Sequence, residues 1–373
     1  MANLVLNGLY GSNLLEYTNL LQGISLQFHL TAKCDQRCKH CYMFDSEFYE
    51  KQIKQPLTKE EVFRLIDEYC TFINDYHCKG EIALSGGDPI LSPYFWDVLE
   101  YIHIKYSTFC VVGVLGNPYH IDVNNAKRMK KYGVKYYQVS IDGLQKTHDY
   151  LRKPGSFNDS LRALQALHNE RISTIVSFTI SKLNYKDLIP LYNFLDSLDY
   201  VDIFGFNRLV PTGNGKHMKN SMFTPEEYRK FLFDVYSEMV SKRRRLYISM
   251  EDKMWRPFLY DMGLTDPLPD VQNKKCISGC MCGTATTSVL ADGTMFPCRR
   301  MEKSAGKFPE KSFRELFIHN EVTKQFRQYE KYDGCCNCEL FKFCRGCPAI
   351  KYATTGDFYH EDPNCWRAVR NEQ

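Results

Sequence analysis

The sequence predicts an α/β fold in which an incomplete (β/α)6 barrel leads into a cysteine-rich C-terminal module. Three features predict it. Short apolar runs alternate with amphipathic stretches across roughly the first half of the 373 residues, as βα units around a parallel sheet require. Each run leads into a loop rich in Gly, Pro, Asn or Cys. Beyond about Val271 the apolar periodicity fades and cysteines cluster, so this region is expected to need metal to fold.

The six predicted strands are Ile24–Leu30, Glu81–Ser85, Phe109–Leu115, Val134–Ile141, Ile172–Ile180 and Val201–Leu209. Helical periodicity fills the gaps, as in Lys59–Asn74 behind the N-cap Thr58 and in Ser156–His168. Residues 1–23 are read as a leading segment too short for a separate recognition domain, 24–215 as the barrel, 216–270 as a helical bridge and 271–373 as the cysteine-rich module. A Gly-, Asn- and Lys-rich stretch, Thr212–Asn220, leads into the bridge, and Thr224–Arg244 reads as one long helix. In barrels of this kind chemistry gathers at the C-terminal ends of the strands, and the motifs below all fall there.

A formal charge of +4 spread along the chain gives no reason to expect nucleic acid. The basic run Lys242–Arg245 suits a helix C-terminus, where cations meet the negative end of the dipole. No apolar run reaches the ~20 residues that cross a bilayer, and no export signal precedes the first strand. The expectation is a cytoplasmic protein with no membrane partner. In a reducing compartment, 16 cysteines point to metal ligation rather than disulfides.

The loop after the first strand reads Lys33-Cys34-Asp35-Gln36-Arg37-Cys38-Lys39-His40-Cys41-Tyr42. Three thiolates in one turn can ligate three irons of a [4Fe-4S] cube and leave the fourth without a protein ligand. The alternative is a zinc site with His40 as fourth ligand, but structural zinc sites usually join two knuckles far apart in sequence. This CxxxCxxC loop resembles that of the radical S-adenosylmethionine (SAM) superfamily, which implies a TIM-like partial barrel. The resemblance makes Cys34, Cys38 and Cys41 the catalytic cluster ligands, with His40 at the aromatic position before the last of them. It further implies that SAM chelates the open iron, that one electron cleaves SAM to methionine and a 5'-deoxyadenosyl radical, and that this radical abstracts a hydrogen from substrate.

Ser85-Gly86-Gly87-Asp88-Pro89 resembles the family's GGEP turn, with Asp for Glu. Small residues let backbone approach a ligand, and the Asp88 carboxylate suits an ammonium group. Gly116-Asn117-Pro118 is loosely similar to the Asn-Gly turn of relatives. Val139-Ser140-Ile141-Asp142-Gly143 with Thr147-His148-Asp149 and Leu151-Arg152 resembles the long SIDG, THD and LR block of the peptide-modifying branch. The resemblance places Ser140 and Asp142 on the ribose side of the SAM pocket, Arg152 on the methionine carboxylate as a fork of donors, and Ser177 on carboxylate or ribose. Asn207-Arg208-Leu209-Val210-Pro211-Thr212-Gly213 is similar to the family's sixth-strand ending, whose backbone at Leu209 meets adenine.

In the module, Cys276, Cys280, Cys282, Asp292-Gly293, Cys298, Cys335, Cys336, Cys338, Cys344, Cys347 and Cys365 resemble the SPASM extension, with two residues between Cys344 and Cys347 where relatives have three. The resemblance implies two auxiliary [4Fe-4S] clusters. One takes Cys280, Cys298 and Cys347 with a fourth ligand from Cys276 or Cys282, and the other takes Cys335, Cys338, Cys344 and Cys365. Zinc staples are the alternative, since both metals share thiolate ligands. Cys336, Cys70, Cys78 and Cys110 remain as small apolar side chains or hydrogen-atom donors.

The resemblance implies a maturase of a ribosomally made peptide, forming a thioether or carbon–carbon crosslink or an epimerised residue. Its partners are a peptide or protein substrate, an external one-electron reductant such as flavodoxin or ferredoxin, and a separate peptide-recognition protein. The alternatives are an anaerobic sulfatase-maturing enzyme making formylglycine, for which no acidic general base stands out, and a non-enzymatic iron–sulfur electron-transfer or scaffold protein.

Overall fold

The structure is a computed structural model that describes residues 23–241, 244–265 and 278–368. Among the described residues nine strands form one sheet: β1 Gly23–Thr31, β2 Lys79–Gly86, β3 Cys110–Leu115, β4 Tyr136–Ser140, β5 Ser173–Ile180, β6 Ile203–Arg208, β7 Tyr247–Ser249, β8 Thr286–Val289 and β9 Met295–Phe296. Their order is β7-β6-β5-β4-β3-β2-β1-β8-β9, and only the β8/β9 pair is antiparallel. β1 to β6 coincide with the six strands predicted from apolar runs, and helices fill the connections between them.

Strand alternation explains the two faces of the sheet. In β1, Ile24, Leu26, Phe28 and Leu30 pack with the helices in the main core, while Ser25, Gln27 and His29 project to the opposite face. β5 repeats the pattern, with Thr174, Val176, Phe178 and Ile180 buried against half-buried Ser173, Ser177 and Thr179. The helix Lys59–Asp75 seats on the outer face through Val62, Leu65, Ile66, Tyr69, Phe72 and Ile73, an i, i+3, i+4, i+7 stripe. A capping box fixes its start: Glu61 N donates to Thr58 Oγ1 at 3.2 Å and Thr58 N donates to Glu61 Oε2 at 2.9 Å.

The sheet runs past the limits read from sequence. β7, within the predicted bridge, pairs with β6. β8, within the cysteine-rich module, pairs with β1 from Ser25↔Thr286 to Phe28↔Val289. An uncovered β1 would present a row of unpaired N–H and C=O groups, and β8 satisfies them. A four-residue strand paired across most of the chain leaves no local signal. The helix of the bridge spans Pro225–Ser241. Among the described residues no helix is long and apolar enough to cross a membrane.

Candidate active site

The cluster loop leaves the C-terminal end of β1 and is strapped down from both sides. Lys39 N donates to Leu151 O at 2.9 Å, Asn214 N to Cys41 O at 2.8 Å and Asn214 Nδ2 to Cys38 O at 3.2 Å. Gly213 lies at φ +54°, and a Cβ there would stand 2.4 Å from Tyr42 O, so the loop after β6 reaches the cluster loop only as glycine. Donors already face the sulfurs. Asn117 Nδ2 lies 3.2 Å from Cys34 Sγ, Gln36 N 3.4 Å from the same atom, Met43 N 3.5 Å from Cys41 Sγ and Arg152 Nη1 3.6 Å from Cys38 Sγ. Burial pushes the Cys38 thiol up to about 12 and raises Cys34 and Cys41 as well, so deprotonation there calls for bound positive charge. Three sulfurs lining one cavity, with N–H donors beside them, fit the donor set of an iron–sulfur cluster.

Beside these sulfurs lies a cavity of about 180 Å³. Of the residues singled out in the sequence, His40, Gly86, Gly87, Asn117, Ser140, Arg152, Ser177 and Leu209 line it, all but Ser177, which lies within β5, at or beyond the C-terminal end of a strand. Gly86 and Gly87 are required by the protein itself, since a Cβ would meet Thr31 O at 2.2 Å or Lys33 O at 2.1 Å. The Gly-Gly turn is packed against the cluster loop, and Gly87 N and Asp88 N donate to Thr31 O and Lys33 O.

Two predicted contacts point elsewhere. The Asp88 carboxylate does not line the cavity; its Oδ1 accepts from Asn117 N at 3.3 Å, and burial pushes its carboxyl up to about 7. Asp142 is fully buried behind the wall. Its Oδ2 takes Arg152 Nε at 2.5 Å and His40 Nε2 at 3.2 Å, and its Oδ1 accepts from Thr179 N at 2.8 Å. Burial would raise this carboxyl, but Arg152 and His40 outweigh burial and hold it well below the usual carboxylate range. Asp142 therefore aims Arg152 and His40 at the cavity.

Sequence reasoning missed Gln138, Thr179, Asn207, Arg299 and Arg300 in the cavity wall. Gln138 and Thr179 stand two residues from Ser140 and Ser177, and strand alternation carries them to the same face. Arg299 and Arg300 directly follow Cys298. Arg299 has no carboxylate partner among the described residues and stands 5.9 Å from the Tyr42 ring centroid. No Asp or Glu lines the cavity among the described residues, and its cysteines there are Cys34, Cys38 and Cys41 alone.

The later cysteines gather in two further pockets. Cys280, Cys282, Cys298 and Cys347 line one, with Asn207, Arg208 and Arg300, which also line the main cavity. Cys280 Sγ and Cys282 Sγ are 3.4 Å apart. Cys335, Cys338, Cys344 and Cys365 line the other. Each pocket offers four sulfurs, the number a closed cube takes. Cys276 lies outside the described residues. Cys70, Cys78 and Cys110 are buried and Cys336 is exposed, and none lines these pockets.

Buried Arg208 ties the second half of the chain to the barrel. Its Nε donates to Asp252 Oδ2 at 2.9 Å, and its Nη1 donates to Asp362 Oδ1 at 2.6 Å and to Asn364 Oδ1 at 2.8 Å. Asp362 Oδ2 accepts from Cys347 N at 2.8 Å, so this network also positions an auxiliary cysteine.

Comparison with known proteins places this geometry in a family. Residues 28–195 match the radical SAM superfamily and residues 280–348 match the SPASM iron–sulfur cluster-binding domain. The chain is 28% identical over 346 residues to the AdoMet-dependent heme synthase of Methanosarcina barkeri, covering 91% of this chain and 95% of that protein. It is 23% identical over 364 residues to the mycofactocin maturase MftC of Mycolicibacterium smegmatis, covering 92% and 82%. Its fold matches Streptococcus suis SuiB bound to the precursor peptide SuiA with a TM-score of 0.72 at 14% identity, covering 95% and 78%. Both domains imply [4Fe-4S] clusters, and the chain is a radical SAM enzyme with a C-terminal SPASM domain.

Proposed function

We propose that this enzyme oxidises a ribosomally made peptide, closing a thioether or carbon–carbon crosslink. One observation carries the reading. The pocket of Cys280, Cys282, Cys298 and Cys347 shares Asn207, Arg208 and Arg300 with the main cavity, so an auxiliary cluster held there stands beside the substrate as an electron acceptor. Epimerisation needs a hydrogen-atom donor, and no spare thiol lines the cavity among the described residues. Formylglycine formation by a carboxylate base finds no Asp or Glu there either.

We assign Cys34, Cys38 and Cys41 to the catalytic cluster, and the two later sets of four cysteines to auxiliary clusters. When bound, SAM and its cluster supply a radical that removes hydrogen from carbon. Arg152 meets the SAM carboxylate, with Asp142 and His40 fixing its plane. Ser140, Ser177 and the backbone at Leu209 line the rest of the SAM site, and the turn at Gly86 and Gly87 fixes the edge nearest the cluster. The reductant is an external one-electron donor protein, and a separate recognition protein presents the peptide.

The 28% identity to a heme synthase over 91% of the chain favours a second reading, in which the inserted arm is a porphyrin propionate facing Arg299. The test is anaerobic incubation of the cluster-loaded enzyme with SAM and dithionite, separately with a short Cys-bearing precursor peptide and with an iron porphyrin bearing propionates. The expected result is a peptide that has lost two hydrogens, with 5'-deoxyadenosine formed in step. Consumption of the porphyrin and not the peptide replaces the first reading with the second, and a formylglycine product from a sulfatase-site peptide overturns both.

A further inference from the structure

Three of the loops that build the cavity also meet one another away from its wall. Asp35 follows Cys34 after β1, Asp88 closes the Gly-Gly turn after β2, and His120 stands in the loop after β3. One ligand atom from each lies within 4.8 Å of the others. Asp35 Oδ2, Asp88 Oδ2 and His120 Nε2 are each shut off from solvent and make no hydrogen bond, while Asp35 Oδ2 and His120 Nε2 stand at ion-pair distance, 3.2 Å, on side chains 23% and 34% exposed. Asp88 is 0% exposed, and none of the three lines the cavity.

Asn117 sets the orientation of both carboxylates. Its backbone N–H donates to Asp88 Oδ1 at 3.3 Å and its Nδ2 donates to Asp35 Oδ1 at 2.8 Å. Each aspartate therefore spends one oxygen on Asn117, the other makes no hydrogen bond, and Asp35 Oδ2 faces His120. An orphaned buried acceptor such as Asp88 Oδ2 carries the full desolvation penalty, which a bound cation would offset. Ligands oriented by an outer amide are a hallmark of metal sites.

We propose that Asp35, Asp88 and His120 bind a divalent cation of the manganese-to-zinc class. Two carboxylate oxygens and one imidazole nitrogen suit a hard-to-borderline ion rather than the soft-ligand iron of the clusters. Three protein ligands leave positions for water. The ion pins the first three βα loops together, and Asn117, which also donates to Cys34 Sγ, links it to the catalytic cluster loop.

The probe is Mn2+, titrated into anaerobically purified, cluster-loaded protein and read by electron paramagnetic resonance together with total iron. The expected result is one tightly held Mn2+ per chain at unchanged iron content, with its signal broadened when dithionite makes the neighbouring cluster paramagnetic. His120→Ala and Asp35→Asn each weaken binding by roughly tenfold or more. Because Asp35 adjoins a cluster ligand, iron content of that variant is measured alongside, and His120→Gln serves as the second variant free of that neighbour. Absence of tight Mn2+ binding, or equal binding in wild type and both His120 variants, overturns the proposal.

Discussion

Arg152 joins Asp142 to the sulfur of Cys38: Nε donates to Asp142 Oδ2 at 2.5 Å while Nη1 stands 3.6 Å from Cys38 Sγ. Asp142→Asn keeps the shape and removes the charge that compensates Arg152 and His40. Breaking a buried pair from one side costs about 3–5 kcal/mol, and the freed guanidinium turns toward the sulfurs. The variant should melt well below wild type under anaerobic conditions and cleave SAM more slowly at equal iron content. Unchanged melting at equal iron would show that the pair carries no structural weight.

How far this site is legible in the sequence depends on how local its signals are. The Cys34, Cys38 and Cys41 loop sits within one turn, so spacing alone reveals it, and the six barrel strands follow from apolar runs. The Asp142 carboxylate is different. A motif places it near the cofactor, but whether it faces the cavity or the wall depends on Arg152 ten residues on and on Thr179 across the sheet. The same holds for Asp88, whose partners come from two neighbouring loops. β8 was illegible for another reason: Thr286–Val289 is four residues long, and its pairing with β1 is fixed by tertiary structure. Arg299 and Arg300 sit beside Cys298, a visible clue, yet a basic pair reads as solvated surface until the fold turns it inward.

Arg208 makes its own prediction. It is 3% exposed and faces Asp252 and Asp362, both buried. Arg208→Met leaves two carboxylates unpaired in the interior, at a cost of about 3–5 kcal/mol. The cut falls between the barrel and the C-terminal half, so limited proteolysis should release C-terminal fragments from the variant under conditions where wild type stays intact. Equal protease resistance would show that the other contacts between the halves hold them together without Arg208.

His148 gives a pH dependence. Asp142 N donates to its Nδ1 at 3.1 Å and Ser156 Oγ lies 2.8 Å from its Nε2. Burial, reinforced by Arg152, lowers its pKa to about 4, below the ordinary value near 6.5. The unfolded chain therefore binds this proton first as the pH falls. The contribution is complete above about pH 6.5 and is lost on the way down to about 4, an amount of about 3 kcal/mol at most. Denaturant melts of wild type between pH 7 and 5 should lose stability faster than those of His148→Gln. Parallel pH slopes for the two proteins would rule out a neutral buried His148.

Cluster counting separates the ligand sets. Three cubes predict ~12 irons per chain. Cys365→Ser should lower the iron content by about four and leave SAM cleavage detectable, because its pocket is distinct from the main cavity. The fourth ligand of the other auxiliary site is decided by comparing Cys282→Ala with Cys276→Ala. Cys282 shares a pocket with Cys280, Cys298 and Cys347, so its loss is expected to cost the cluster while loss of Cys276 spares it. The reverse result would assign the position to Cys276.

Arg299 is the sharpest test of substrate class. Its guanidinium borders the cavity beside Tyr42 with no carboxylate partner among the described residues, and a fork of donors in a half-closed site selects planar anions. A peptide that inserts an Asp or Glu side chain or its C-terminus, or a porphyrin that inserts a propionate, would dock against it. A charge-assisted hydrogen bond contributes about 1.5–3 kcal/mol, so Arg299→Gln should raise KM roughly tenfold to a hundredfold for an anionic substrate. The rate of SAM cleavage without substrate should stay near wild type. Arg299→Lys keeps the charge and loses the fork, and is expected to recover part of the affinity. If KM is unmoved in both variants, the inserted group is neutral, and a Cys or an aliphatic side chain becomes the arm that meets the radical.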